Sequence, residues 1–451
     1  MIVFVALLAF YVAWNLGAND VANSMGTSVG SKAVTLRQAL VIAGVLEFTG
    51  AVLFGRSVSE TLATGVVNPE LFAAAPQMLL IGMVSVLIAC GIWLQIATSK
   101  GLPVASSHAV VGAIAGFSWV AAGVGAIDWS LIGLISFAWV ITPVISGTIA
   151  ALFYSVVKRW ILDQPNPLFQ LREWIPWLSA TLLGVFGVIV LPSVSQPIDT
   201  WLTDSFGIDL PAHDIPLLIG AIASVALTWF IWRQLAREEA QTQVVDTTVI
   251  APGAKEPDNS EIQKPQSKIQ NPIERQLARF QLLSACFVAF AHGSNDVGNA
   301  IAPLAAIAYI NRTGSVPITG FSIPLWILVL GGAGIVAGLA VWGKKVIATI
   351  GEGIIALQPS GGFCAELATA ATILLASRLG LPVSTSHALV GAVVGIGAVK
   401  DWKSIRFQTL QSIGLAWLIT LPISAGLGAI IFLVTRQLGG QFGIFHFIAS
   451  I

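Results

Sequence analysis

Charged residues are scarce in this chain. Only 10% of its 451 residues are Asp, Glu, Lys or Arg, against roughly 25% in an average soluble domain, which excludes a water-soluble enzyme of this length. Neither sign is in surplus. The 22 basic residues balance 22 acidic ones, so no basic face points to nucleic acid. Cysteine is nearly absent: Cys90, Cys286 and Cys364 stand far apart in apolar stretches, an odd count with no disulfide framework and no metal-binding spacing. What is present is apolar, with 56% hydrophobic residues and a mean hydropathy of +0.85. These are the properties of an all-α polytopic membrane protein.

A membrane-spanning helix needs about 20 mostly apolar residues. Such blocks fall at 1–16, 37–55, 78–98, 104–126, 129–157, 175–192, 215–232, 281–310 (broken inside), 322–343, 363–377, 382–399 and 408–435. That gives about twelve transmembrane helices, with 363–377 and 382–399 short enough to form a re-entrant hairpin instead of two crossings. The first block lacks a basic flank and runs into a polar motif, so it reads as part of the mature protein and not as a signal peptide. The segment 240–272 is too poor in large apolar residues to offset its ordering entropy and reads as a linker. The expected organisation is a first transmembrane repeat at 1–157, two intervening helices at 158–232, a flexible cytoplasmic linker at 233–279 and a second repeat at 280–451. With twelve spans, 18 of the 22 Lys and Arg fall on one side, leaving Arg56, Arg312, Arg378 and Arg436 on the other. By the positive-inside rule the linker is then cytoplasmic and both termini lie outside a cell membrane.

Two halves of the chain repeat each other. Gly17-Ala18-Asn19-Asp20-Val21-Ala22-Asn23 matches Gly293-Ser294-Asn295-Asp296-Val297-Gly298-Asn299, and the segment 101–109, with Pro103, Ser106, Ser107 and His108, matches 380–388, with Pro382, Thr385, Ser386 and His387. A glycine ladder, Gly44, Gly50 and Gly55, recurs as Gly332, Gly338 and Gly343, and Trp139 with Thr142 and Pro143 recurs around Trp417. Seven spans precede the second copy. Seven is odd, so the copy enters from the opposite side, giving two inverted-topology repeats with broken or re-entrant helices at the midplane, the architecture of many secondary transporters.

The repeated motifs carry two chemistries. Asp20 and Asp296 lie at membrane depth, where an acid costs about 2.5–3.5 kcal/mol on insertion scales. Gly17 and Gly293 are expected to break the helix there. Carboxylates, the amide oxygens of Asn19, Asn23, Asn295 and Asn299, and freed carbonyls would form a hard-oxygen cage for Na⁺. The bland alternative, helix capping by Asn and Asp, is weakened by two matching copies. After Pro103 and Pro382, which favour a first helical turn, Ser106, Ser107, Ser384, Thr385 and Ser386 would lie at helix N-termini suited to an oxyanion, although Ser and Thr also bond back to their own helix. His108 and His387 either bond the anion, shuttle a proton or brace the turn through a backbone carbonyl. Glu47 and Glu366, inside apolar spans, need a partner, whether a cation or an ion pair; with the two histidines they are assigned to gating or coupling.

These motifs resemble the inorganic phosphate transporter (PiT) family, with the likeness covering nearly all of the chain outside 160–275. The resemblance implies a cation-coupled phosphate symporter and no enzyme. It implies that Asp20 and Asp296 match the family's essential aspartates, Glu47 and Glu366 its intramembrane glutamates, and Ser384 its serine after Pro-Val. Ala105 stands where the first repeat would carry that serine. A homodimer is implied by the likeness alone. No cofactor is expected; the coupling ion is Na⁺, favoured by the oxygen cages, with H⁺ the alternative. Sulfate, also tetrahedral, is the competing substrate. An intramembrane hydrolase finds no nucleophile–base spacing and no His-Glu-x-x-His in the sequence.

Overall fold

The computed structural model describes residues 1–100, 104–206, 214–249, 269, 271–318, 320–350 and 355–442. Among these residues the chain forms α1 (Ile2–Gly30), α2 (Leu36–Phe54), α3 (Arg56–Thr64), α4 (Pro76–Ser99), α5 (Ser106–Ala122), α6 (Trp129–Val157), α7 (Pro167–Phe206), α8 (Asp214–Val249), α9 (Pro272–Thr313), α10 (Leu325–Ile350), α11 (Pro359–Arg378), α12 (Thr385–Lys400) and α13 (Phe407–Phe442), with no strand. Every one of the twelve apolar blocks coincides with a helix. Nine helices are long and apolar enough to cross a membrane; α9 is long but polar at its start, and α5 and α12 are short. With 17 and 16 residues, α5 and α12 extend about 25 Å at 1.5 Å per residue, less than the ~30 Å hydrocarbon core. The shortness expected of the block 363–377 therefore falls on α12 and on its first-repeat counterpart α5, while α11 has 20 residues.

The chain divides into two compact units, residues 1–154 with 281–451, and residues 155–280. In the second unit α7 and α8 run side by side, and the Trp232 indole donates to the Arg172 carbonyl at 2.9 Å. The expected linker at 233–279 is narrower than its composition implied. Helix α8 continues to Val249 through Leu235, Ala236, Arg237, Glu238, Glu239 and Ala240, all strong helix formers. Helix α9 starts at Pro272, with the Asn271 side chain accepting from the Ile273 N–H at 3.0 Å. Residues 250–268 and 270 of that segment lie outside the described residues.

The expected helix breaks at Gly17 and Gly293 do not occur. Helix α1 runs unbroken through the first motif and α9 through the second, so the span 281–310 is continuous and the first block extends well beyond residue 16. Close packing accounts for the glycines instead. A methyl group placed on Gly17 would lie 1.9 Å from the Ile335 carbonyl oxygen of α10, and one on Gly338 would lie 1.8 Å from the Trp14 carbonyl oxygen of α1. The same crossing recurs between α9 and α2: Gly293 would meet the Glu47 carbonyl at 2.0 Å, and Gly50 the Phe290 carbonyl at 2.1 Å. In each case a helix of one sequence repeat crosses a helix of the other at backbone contact, which only a residue without Cβ permits.

Helices α5 and α12 are packed in the same way. Gly112 and Gly116 of α5 sit against the backbone of α13 at Leu421 and Ala425, and Gly391 and Gly395 of α12 sit against that of α6 at Pro143 and Gly147. Neither short helix starts at its proline. Pro382 precedes α12 by three residues, and Pro103 lies outside the described residues. Ser384 is the N-cap of α12, its hydroxyl accepting from the His387 N–H at 3.3 Å, whereas Ala105 caps α5 without a side-chain bond. At α12 the Ser384 cap, not the proline ring, sets the helix start, while α5 begins at the equivalent repeat position without a side-chain cap.

Substituting Gly17 or Gly293 by Ala should therefore force two backbones apart and destabilise the protein by about 1–3 kcal/mol. Gly133→Ala in α6 and Gly414→Ala in α13, where nothing lies within 4 Å, should be neutral or stabilising by up to ~1 kcal/mol. Thermal denaturation of the purified variants distinguishes the two sets, and equal melting temperatures would show that the crossings tolerate a side chain.

Candidate functional site

The crossings bring the two motif copies together, and polar side chains then bond across the repeats. Asn23 of α1 donates its Nδ2–H to Ser386 Oγ at the start of α12, at 2.8 Å. Its counterpart Asn299 of α9 donates to Ser106 Oγ and Ser107 Oγ at the start of α5, at 3.2 and 3.4 Å. Ser107 in turn donates to the Val383 carbonyl at 2.8 Å, joining the start of α5 to the turn before α12. The outer asparagines act within their own repeats. Asn19 donates to Thr98 Oγ1 at 3.0 Å, and Asn295 to Ser377 Oγ at 3.0 Å and to the Leu381 carbonyl at 3.1 Å, while its Oδ1 accepts from the Val383 N–H. Asn19 and Asn295, expected as cation ligands, thus tie the ends of α4 and α11 to the motif helices.

Between these bonds lie the carboxylates. Asp20 accepts from Asn23 Nδ2 at 3.0 Å. An oxygen of Asp20, an oxygen of Asp296 and a ring nitrogen of His292 all lie within 4.8 Å of one another. His292 Nε2 is 3.0 Å from Asp296 Oδ2 and its Nδ1 is 3.1 Å from Glu47 Oε1, which also accepts from Ser24 Oγ at 2.9 Å. All of these side chains are buried, and no Lys or Arg among the described residues is. Two unit charges this close repel by about 3–4 kcal/mol even at an effective dielectric of about 20. With both aspartates ionised, the centre favours added positive charge. It also has oxygen atoms to offer: Asp296 Oδ1, Asn299 Oδ1, Thr385 Oγ1 and Glu47 Oε2 are buried with no hydrogen-bond partner among the described residues. Hard oxygens without donors suit an alkali cation.

His108 and His387 form a separate knot. Each Nδ1 meets the carbonyl of the other repeat's tryptophan, Trp417 at 3.2 Å and Trp139 at 3.1 Å. A carbonyl only accepts, so Nδ1 carries the proton in both rings. The rings stand edge-on with centroids 4.9 Å apart, and each leans on a tryptophan of its own repeat, Trp139 for His108 and Trp417 for His387. The Trp139 indole donates to the Pro382 carbonyl at 2.9 Å. The histidines thus brace the starts of α5 and α12 through backbone carbonyls, across the repeats and not within one turn. Glu366 lies in a third group: Thr27, Ser28 and Gln281 donate to its Oε1 at 2.6, 2.7 and 3.2 Å, and Ser284 to its Oε2 at 2.8 Å.

The residues that sequence reading passed over are His292, Ser24, Thr98 and Ser377, together with the donors around Glu366. Thr98 and Ser377 hold equivalent places in the repeat, three residues before Gly101 and Gly380, and that equivalence marks them as a pair. His292 was concealed by the expected break at Gly293. On a continuous helix it stands one turn before Asp296, on the same face.

Comparison with known proteins agrees with the geometry. A family model described as the phosphate transporter family matches residues 16–428. The chain is 40% identical over 437 residues to the chloroplastic inorganic phosphate transporter 2-1 of Arabidopsis thaliana, covering 94% of this chain and 70% of the relative. Among solved structures it is similar to one titled "The sodium-dependent phosphate transporter", with 33% identity, a TM-score of 0.80, and 97% of this chain and 99% of the other covered. With its apolar helices, its duplicated Asn-Asp motif and a match across most of its length, this multi-pass membrane protein belongs to the phosphate transporter family.

Proposed function

We propose that the chain imports inorganic phosphate by symport with Na⁺, alternating access between two inverted-topology repeats. The observation that carries this reading is the pair of cross-repeat bonds, Asn23 to Ser386 and Asn299 to Ser106 and Ser107. They draw two helix N-termini and two aspartates into one buried place. Phosphate takes its donors from Ser106, Ser107, Thr385 and Ser386 and from the positive ends of α5 and α12, while Ser384 serves as a cap. Na⁺ takes oxygens of Asp20, Asn23, Asp296 and Asn299, of which Asp296 Oδ1 and Asn299 Oδ1 have no hydrogen-bond partner among the described residues. Glu47, Glu366, His108 and His387, each bonded to a different helix, carry gating or coupling. The protein lies in a cell membrane with its termini outside and the segment between α8 and α9 in the cytoplasm, as the distribution of Lys and Arg supports.

Near neutral pH phosphate carries between about one and two negative charges, and it would enter a centre already holding Asp20 and Asp296. Like charges at these distances exclude phosphate unless a cation arrives with it, so the two ligands must raise each other's affinity. The sodium-dependent relative among solved structures favours Na⁺ over H⁺ as that cation.

Two results are expected. Replacing both Ser107 and Ser386 by Ala should weaken phosphate affinity at least about tenfold, since a hydrogen bond to a charged group contributes roughly 1.5–3 kcal/mol, and the protein should stay folded; unchanged affinity in the purified double variant would remove these hydroxyls from the site. Phosphate affinity of the wild-type protein, measured by radiolabelled binding across a series of Na⁺ concentrations, should rise steeply with Na⁺. An affinity flat in Na⁺ would contradict coupling and favour a uniporter.

A further inference from the structure

Helices α7 and α8 enclose a groove that the transport centre does not use. Helix α7 lines it with Pro176, Ala180, Gly184 and Val188, and α8 with every fourth residue from Leu217 to Trp229. That spacing puts each set on one helix face. The groove holds about 700 Å³ and is lined almost wholly by apolar groups. From Pro176 to Val188 it runs about 18 Å at 1.5 Å per residue, a little over half of the ~30 Å hydrocarbon core, and so it spans one leaflet. Small residues make it hollow. A methyl group on Gly184 would meet nothing within 4 Å, so this glycine, unlike Gly17, serves no helix crossing.

Both ladders end in arginine. One more step of four leads from Pro176 back to Arg172 and from Trp229 on to Arg233. The two ends meet, because the Trp232 indole, which also lines the groove, donates to the Arg172 carbonyl at 2.9 Å. The Arg233 guanidinium lies over the Trp229 ring, 5.2 Å from its centroid, a stacking that leaves its N–H edge free for an anion. Both arginines are exposed, and neither has an ion-pair partner among the described residues. Glu173 is next in sequence to Arg172 but lies off the ladder.

We propose that this groove binds an anionic phospholipid, one acyl chain lying along Gly184 and Ala221 and the headgroup phosphate held between Arg172 and Arg233. Charge at the mouth selects a headgroup of net negative charge over a zwitterionic one. The distribution of Lys and Arg assigns this end to the cytoplasmic side, the leaflet in which anionic lipids concentrate. Trp229 and Trp232 stand beside the arginines, as indoles do at headgroup level. A second copy of the chain is the other occupant an apolar face could take. Two-fold symmetry about the membrane normal would set the arginines of one copy against those of the next, like charge against like, and no acidic residue lines the groove to compensate.

The test is native mass spectrometry of the purified protein titrated with dioleoyl phosphatidylglycerol or dioleoyl phosphatidylcholine, for wild type, Arg172→Gln/Arg233→Gln and Gly184→Leu/Ala221→Leu. Wild type should bind the phosphatidylglycerol at least about fivefold more tightly, as two cations beside one anionic headgroup support. Arg172→Gln/Arg233→Gln should bring the two lipids to within about twofold of each other, and the two leucines, which fill the groove, should weaken both. Equal wild-type affinity for the two lipids would overturn the proposal, as would a preference that survives the loss of both arginines or lipid binding unchanged by the leucines. A wild-type dimer that dissociates in the leucine variant would also overturn it and assign the face to a second copy. If the leucine variant fails to fold, the arginine variant, altered only at exposed side chains, decides alone.

Discussion

Four helices cross in two pairs at glycine-to-backbone contact, α1 over α10 and α9 over α2, and the spacing of those crossings sets how near the motif side chains come to one another. Gly17 and Gly293 lie three residues, nearly one turn, before Asp20 and Asp296. Holding the helices at backbone distance on that turn places both carboxylates within reach of one ion. Wider crossings would separate the aspartates and open the bonds from Asn23 and Asn299 to the starts of α5 and α12. The packing glycines, not the polar residues, are what assemble the centre, since side-chain hydrogen bonds reach only about 3 Å.

Burial sets the second constraint. A polar group taken from water without a partner costs several kcal/mol in an apolar medium, and the centre holds many such groups. Several are paired crosswise, so that neither repeat can satisfy its own donors and acceptors alone. Ser107 depends on Val383, His108 on Trp417 and His387 on Trp139. Any motion of one repeat past the other must break or carry these bonds as a set. Glu366, by contrast, is enclosed by four neutral donors from α1 and α9, while the matching position in the first repeat is Leu87. The asymmetric residues, Glu47, His292 and Glu366, are those for which duplication left an apolar partner.

Much of this was legible in the sequence because it repeats. The twelve apolar blocks, the paired Asn-Asp motifs and the hydroxyl-rich helix starts all follow from hydropathy and internal matching. The misreading concerned glycine. Gly17 and Gly293 carry the same local weakness whether a helix breaks there or a neighbour packs against it, and sequence alone does not show the neighbour. Expecting a break hid the turn-by-turn register of α9, and with it the contact of His292 with Asp296. Pro382 misled in a similar way, because the helix begins at the capping Ser384 and not at the ring. The partners of Glu47 and Glu366 come from distant helices, and no local pattern encodes a contact such as Thr27 to Glu366 across 339 positions.

The central claim is that one oxyanion sits between the starts of α5 and α12, against the two aspartates. It is tested most directly by determining the structure with arsenate, a heavier tetrahedral oxyanion, in the presence of Na⁺ and locating arsenic by its anomalous signal. The account predicts a single strong peak within hydrogen-bond distance of both Ser107 and Ser386 and beside Asp20 and Asp296. Arsenic bound elsewhere, with these four residues left in contact only with one another, would contradict it.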